Sequence, residues 1–227
     1  MENMLTISLA IIGTVIVLYA QLKIQSNYRK YKMISCTKNL TGFDVARMIL
    51  DQNGLNHVHI VEISGELTDH YDPTRKVVRL SKDIFHNNSI ASISVAAHEC
   101  GHAIQDKENY SFMRIRASLV PFVNFISGAG FLVILISLVA GITGYLIYGI
   151  LMILVTLLFQ LVTLPVEFDA SKRALDQLKK LDIVDQGEIE GATNVLKAAA
   201  LTYVASVISS ILSLLRLIIM YRDEKDR

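Results

Sequence analysis

Four long runs of apolar residues dominate the chain, and most charged residues lie in the segments between them. Each run has about 18 or more residues, the length that a helix needs to cross the hydrocarbon core of a bilayer. The fourth run is the least uniform, because Arg216 lies inside it. We therefore predict an α-helical membrane protein with about four transmembrane helices, at residues 4–22, 119–141, 145–164 and 198–219.

The overall composition supports this prediction. Hydrophobic residues make up 52% of the 227 residues and charged residues only 19%, a balance too apolar for a soluble domain of this length. The formal net charge of +1 gives no basis for binding nucleic acid. The lipid bilayer is thus an expected partner, and nucleic acid is not.

The basic residues that flank the apolar runs predict an orientation in the membrane. Only the acidic Glu2 precedes the first run, whereas four basic residues follow it, so the positive-inside rule predicts an uncleaved anchor with its N-terminus outside. The segment between the first two runs is then cytosolic. The tail after the fourth run carries charges of both signs, and its path stays open. The basic residues after the first run are Lys23, Arg29, Lys30 and Lys32.

The polar segments are long enough for one small domain of mixed α and β structure. Thr41 is a good N-cap for a helix that ends near Asn53, and β-branched residues predict strands at 57–63 and 76–80. A shorter strand is predicted between these two, and a helix at 90–105 follows them. Pro165 can start a helix that runs to about residue 180, and a last helix begins near residue 185 and can continue into the fourth run.

These patterns predict six consecutive segments. A membrane anchor and a small domain of mixed α and β structure are followed by a transmembrane hairpin, whose two helices are joined only by Ile142, Thr143 and Gly144. Further polar helices, a last transmembrane helix and a polar tail then follow. The predicted boundaries are 1–22, 23–117, 118–164, 165–197, 198–220 and 221–227.

A His-Glu-x-x-His motif lies in the helix predicted at 90–105. Residues four apart on a helix differ by about 40° around its axis and about 6 Å along it, so His98 and His102 can hold one metal ion. Glu99 lies about 60° from His102 on the same helix, where its carboxylate can hold a water molecule. The alternative is a helix with polar residues and no metal. The spacing and the helical context favour zinc.

A catalytic zinc site needs a third protein ligand and leaves one position open. Because the second and third runs form a hairpin, the chain leaves the membrane on the same face at which it entered. Glu167, just after the third run, is thereby brought back beside the motif helix. The alternatives are that Glu167 faces solvent or pairs with Lys172 or Arg173. We expect it to be the third ligand.

Three stretches resemble a known family, the YugP-like neutral zinc metallopeptidases of bacterial membranes. They are AAHECGHAIQD, LTDHYDPTRKVVRLS and PVEFDASKRAL, and the resemblance extends from about residue 40 to the end of the chain. It implies a zincin-like domain of gluzincin type, with one zinc ion held by His98, His102 and Glu167 and with Glu99 as the base. The arrangement is also similar to that of the HtpX-like membrane proteases.

The sequence departs from the gluzincin pattern at one position. Gluzincins often carry Asp four residues after the ligand Glu, but Ser171 stands there in this chain, and the nearest Asp is Asp169. The hydrogen bond that steadies a ligand histidine is therefore unassigned by the sequence.

The expected reaction is hydrolysis of peptide bonds in membrane-associated proteins or peptides, by a zinc-activated water with Glu99 as general base. His70 or Tyr71 can donate a hydrogen bond to the oxyanion, unless these residues only stabilise a hairpin turn. The strand predicted at 76–80 can pair with an extended substrate. The domain is expected on the cytosolic side of a bacterial cell membrane.

A non-enzymatic membrane scaffold, with a structural or vestigial metal site, is the alternative function. A structural zinc site usually has four protein ligands, often cysteines, and Cys36 and Cys100 do not form such a set with the motif. Ser206, Ser210 and Ser213 on the last apolar run suit packing against other membrane helices, which are further expected partners under either function.

Overall fold

The computed structural model describes residues 2–139 and 144–225, which form seven helices and three short strands. The end of the second predicted run at Gly141 and the linker residues Ile142 and Thr143 lie outside the described residues. The elements are α1 (Glu2–Lys32), α2 (Gly42–Gln52), β1 (His59–Ile63), β2 (His70–Asp72), β3 (Val77–Ser81), α3 (Lys82–His86), α4 (Ile90–Lys107), α5 (Ser111–Val139), α6 (Leu146–Lys180) and α7 (Gln186–Lys225).

The chain divides into two compact units. The first unit is helical and consists of Met1–Gln21, Arg114–Leu164 and Thr202–Arg227. The second unit consists of Leu22–Met113 and Pro165–Leu201, and it holds the sheet, the His-Glu-x-x-His motif and Glu167. Mixed α and β structure is therefore confined to the second unit, as far as the structure describes the chain.

Three helices are long and apolar enough to cross a membrane, with bounds of Met4–Lys32, Leu146–Lys180 and Gln186–Lys225. Only 6–17% of the residues in their most apolar windows are buried, so these helices present apolar side chains outward, as helices in contact with lipid do. Among the described residues α5 does not meet this criterion. The protein is thus a helical membrane protein, and the fourth crossing stays a prediction.

The two longest helices continue from apolar into polar sequence without a break. Pro165 lies inside α6, so the prediction that it starts a helix is wrong. Proline lacks an amide hydrogen and removes one backbone hydrogen bond from a helix, but the helical sequence on both sides keeps α6 continuous. The helix that begins after Asp185 does continue into the fourth apolar run, and the Glu188 carboxylate accepts the Asp185 amide hydrogen at 2.9 Å.

The sheet has the strand order β1-β3-β2, with β3 parallel to β1 and antiparallel to β2. The central strand β3 is largely buried, in agreement with its apolar sequence. Since both edges of β3 are hydrogen-bonded to neighbouring strands, it has no free edge at which a substrate could pair. The prediction of substrate pairing at residues 76–80 is therefore wrong, and the strands at the sheet edges are β1 and β2.

Two helices of the second unit, α2 and α4, begin at side-chain caps. Thr41 and Asp44 form a reciprocal capping box at the start of α2, which confirms the start predicted there. Ser89 caps α4, because its hydroxyl accepts the Ser92 amide hydrogen at 3.1 Å. α2 packs against α4 through a fully buried face that includes Val45, Ile49 and Leu50, among the largest fully buried side chains of the chain.

A glycine of the metal motif sets the distance between α4 and α6. A Cβ atom added at Gly101 would lie 2.5 Å from the Ala170 carbonyl oxygen of α6, closer than real Cβ contacts. Because the obstacle is helix backbone, it cannot rotate away as a side chain would. Gly101 thereby permits an approach of the two helices that any larger residue would prevent.

We predict that Gly101→Ala destabilises the second unit by about 1–3 kcal/mol, the usual cost of overpacking. Gly187→Ala is the matched control, because nothing lies within 4 Å of a Cβ added at Gly187 of α7. Denaturant unfolding of the two purified variants beside the original protein measures the difference. Equal unfolding free energies for Gly101→Ala and the original protein would contradict the close helix contact.

Candidate metal centre

The helix α4 places the two motif histidines on one face. His98 and His102 are one helical turn apart, and their ring centroids are 4.8 Å apart with the rings nearly perpendicular, at 83°. His98 is half-buried, whereas His102 and Glu99 are buried. The small residues around them, such as Ala97 and Ala103, are fully buried and let other elements pack closely on this helix.

Glu167 approaches the two histidines from α6. Its Oε2 atom lies 3.3 Å from His98 Nε2 and 3.7 Å from His102 Nε2, and only 2% of the residue is exposed. Among the described residues, these three form the group of His, Cys, Asp or Glu side chains that could hold a metal ion, with ligand atoms within 4.8 Å of one another. The structure thus brings together the three side chains that the sequence predicts as ligands.

The distances suit one small cation. Two ligand atoms that are each about 2.0–2.1 Å from a tetrahedral zinc ion lie roughly 3.4 Å apart, and the two nitrogen-to-oxygen distances are 3.3 and 3.7 Å. Two imidazole nitrogens and one carboxylate oxygen are also the donor set of a catalytic zinc site with one further position. The residues therefore fit a zinc ion.

Electrostatics in this group favour a positive charge between the side chains. Burial lowers the pKa of His102, but its hydrogen bond to Glu167 and the charges of Glu99 and Glu167 raise the pKa more, so that the net direction is upward. Protons and metal ions therefore compete for the same nitrogen. A carboxylate as deeply buried as Glu167 needs such a cationic neighbour.

The remaining nitrogen of each histidine ring has its own partner. Ser171 Oγ of α6 lies 3.2 Å from His98 Nδ1, and Gln105 Oε1 of α4 lies 2.9 Å from His102 Nδ1. These contacts supply the hydrogen bonds that sequence reasoning left unassigned. Helical spacing in the sequence could have identified both partners. Gln105 follows His102 by three residues, and Ser171 follows Glu167 by four, so each lies on the same helix face as the residue before it.

Tyr71 lies close to the motif helix, and His70 faces away from Tyr71. The Tyr71 hydroxyl donates a hydrogen bond of 2.7 Å to Asp106, one turn beyond His102. Burial is the larger cause and this hydrogen bond the second cause of a raised pKa of Tyr71, so the phenol stays protonated. Successive side chains of a strand point to opposite faces, so His70 projects from the other face of β2. It is exposed, and its Nδ1 atom lies 2.8 Å from the Thr68 carbonyl oxygen.

Both cysteines are free and buried. The Cys100 thiol, inside the motif, points to the Ala46 carbonyl oxygen of α2 at 3.6 Å, and burial raises its pKa. The Cys36 thiol lies 3.4 Å from the Ile183 carbonyl oxygen. Neither thiol belongs to the group formed by the two histidines and Glu167.

Comparison with known proteins agrees with this arrangement. A family profile described as "Putative neutral zinc metallopeptidase" matches residues 6–222. The chain is 42% identical over 223 residues to "Putative membrane protease YugP" of Bacillus subtilis (strain 168), an alignment that covers 98% of this chain and 99% of that protein. No solved structure matched the chain. The resemblance seen in three stretches is confirmed over nearly the whole length, and the chain belongs to this neutral zinc metallopeptidase family.

Proposed function

We propose that the protein is a membrane-embedded zinc endopeptidase that hydrolyses peptide bonds of membrane-associated proteins or peptides. The observation that carries the proposal is the buried Glu167 carboxylate within 3.3 and 3.7 Å of two histidine nitrogens on another helix. Membership of a zinc metallopeptidase family supports the choice of metal and of reaction. In this proposal the site is of gluzincin type and holds one zinc ion.

The proposed roles follow from the positions of the side chains. His98, His102 and Glu167 would hold the zinc ion, which when bound acts as a Lewis acid and lowers the pKa of water toward neutrality. Glu99 is the proposed general base: a carboxylate oxygen accepts the proton of the attacking water and returns it to the leaving amine nitrogen. Its burial, at 7% exposed, and its influence on the pKa of His102 support a place beside the reacting atoms.

Tyr71 is the proposed donor to the oxyanion. It is protonated and lies on a strand packed against α4, and its single hydroxyl hydrogen, donated to Asp106 at 2.7 Å, would turn to the oxyanion when substrate binds. His70, the other predicted donor, stays a prediction. The edge strand β2 that carries both residues is where we propose that an extended substrate pairs.

The proposed location is the cytosolic face of a bacterial cell membrane. Glu167 follows Leu164, at the end of the apolar run, by three positions within α6, a rise of roughly 5 Å. The position of Glu167 so close to an apolar run supports the proposal that the substrates are themselves held at the membrane. In this proposal residues 1–22 anchor the chain, 118–164 form a hairpin, and 165–197 complete the zinc site of the domain formed by 23–117.

We predict that Glu99→Gln keeps zinc and loses peptide hydrolysis, by a factor of about 10²–10⁴, the usual contribution of a general base. The amide has nearly the shape of the carboxylate but cannot accept the proton. Zinc content and cleavage of a peptide substrate are measured on the same preparation. Hydrolysis at the original rate in the Glu99→Gln variant would rule out Glu99 as the base.

We predict that Glu167→Ala abolishes tight zinc binding, whereas Asp169→Ala weakens it much less. Asp169 already accepts hydrogen bonds from Gln105 Nε2 at 2.8 Å and Arg173 Nε at 2.5 Å, and it lies outside the metal group. Chelator competition gives the zinc dissociation constants of both variants. A larger loss in the Asp169 variant would show that the wrong carboxylate is assigned.

We predict that a single cysteine at the exposed position Asn87 reacts with a membrane-impermeant reagent only after the membrane is broken. Cys36 and Cys100 are first replaced by alanine, so that the reaction reports one site. A single cysteine at Asn3 is the control, since the predicted orientation places the N-terminus outside, where it reacts in intact cells. Labelling at Asn87 in intact cells would overturn the cytosolic assignment.

A further inference from the structure

Gln105 connects the two helices that carry the metal group. The side chain is fully buried in α4, and its Nε2 atom donates hydrogen bonds of 2.8 Å to the Val166 carbonyl oxygen and of 2.8 Å to Asp169 Oδ2, both on α6. A carbonyl oxygen and a carboxylate can only accept hydrogen bonds. The amide nitrogen of Gln105 must therefore face α6, and its oxygen must face His102.

The orientation of the amide fixes the protonation of the His102 ring. Gln105 Oε1, 2.9 Å from His102 Nδ1, can only accept, so Nδ1 carries a hydrogen. In the neutral imidazole the lone pair then belongs to Nε2, the atom that faces Glu167 at 3.7 Å. This is the tautomer that a metal ligand at Nε2 requires.

Asp169 supplies a negative charge to the same chain of hydrogen bonds. Its carboxylate polarises the Gln105 amide, which makes the amide oxygen a stronger acceptor for His102. Arg173 holds this carboxylate in place through a 2.5 Å bond to Oδ2 and is itself bound to Glu108 at 2.6 Å. The chain of contacts therefore runs from the end of α4 through α6 and back to His102.

We propose that Gln105 is a positioning residue that relays the Asp169 carboxylate to His102 and fixes the ring in its metal-binding tautomer. The proposal rests on the proposed zinc site and assigns the hydrogen bond that a direct carboxylate–histidine pair makes in many zinc proteins. His98 differs, because the Ser171 hydroxyl can donate or accept and so does not impose a tautomer.

The test is the zinc dissociation constant of the full-length protein, measured by chelator competition and independent of activity. Gln105→Leu keeps the volume but removes the acceptor, and we expect zinc binding to weaken 10–100-fold, the usual effect of losing such a partner. Asp169→Asn keeps the shape and removes the charge, and a smaller loss is expected. Asp176→Asn is the matched control on an exposed carboxylate of α6, with no change expected.

A double variant separates relay of charge from simple packing. In Gln105→Leu with Asp169→Asn, zinc binding should be no weaker than in Gln105→Leu alone, because without the Gln105 amide the charge of residue 169 no longer reaches His102. If the two residues act independently, through packing alone, the two losses multiply in the double variant.

The zinc dissociation constants of these variants test the relay by Gln105 separately from the proposed peptidase function. Zinc binding in Gln105→Leu equal to that of the original protein would overturn the relay, and so would losses that simply multiply in the double variant. If Gln105→Leu does not fold, Asp169→Asn beside Asp176→Asn still decides, because equal zinc dissociation constants for these two variants would overturn the relay. Failure of the proposed function is distinguishable: the original protein would then bind zinc with the predicted variant effects but would not cleave peptides.

Discussion

The close contact between α4 and α6 is the constraint on which the candidate site depends, because each helix contributes only part of the metal group. The Gly101 backbone lies so near the Ala170 carbonyl that an added Cβ would be 2.5 Å from it. At that separation Glu167, one turn before the contact on α6, reaches His98 and His102 on either side of Gly101 along α4. A wider gap would leave two histidines without a carboxylate, which is not a catalytic zinc set.

The short distance between α4 and α6 also buries the Glu167 carboxylate, so its negative charge must be balanced within the site. A carboxylate that is 2% exposed is costly to bury unless a positive partner and hydrogen bonds surround it. The two imidazole nitrogens provide that partner, and Ser171 and Gln105 bind the far sides of the same rings. The group is therefore organised as a cation site by contacts that lie entirely within the second unit.

The sequence predicted the parts of this arrangement that depend on local spacing or on the path of the chain. The histidine pair follows from helical periodicity, and the approach of Glu167 follows from the return of the chain after two apolar runs. Sequence reasoning placed strand β3 at an edge because strand order depends on pairing between distant segments, and it started a helix at Pro165 because continuity depends on both flanks. Gln105 was missed since its importance comes from contacts with α6, 61 and 64 residues away.

The continuity of α6 past Pro165 places several parts of the contact with α4 on one helical face. Ala170 and Ser171 follow Glu167 by three and four residues, so all three lie on the same side of α6. Glu167 and Ser171 contact His98, and the Ala170 carbonyl lies against α4. One residue more or fewer between Glu167 and Ser171 would turn one relative to the other by about 100°. The uninterrupted helix therefore keeps the carboxylate and the hydroxyl beside the same histidine.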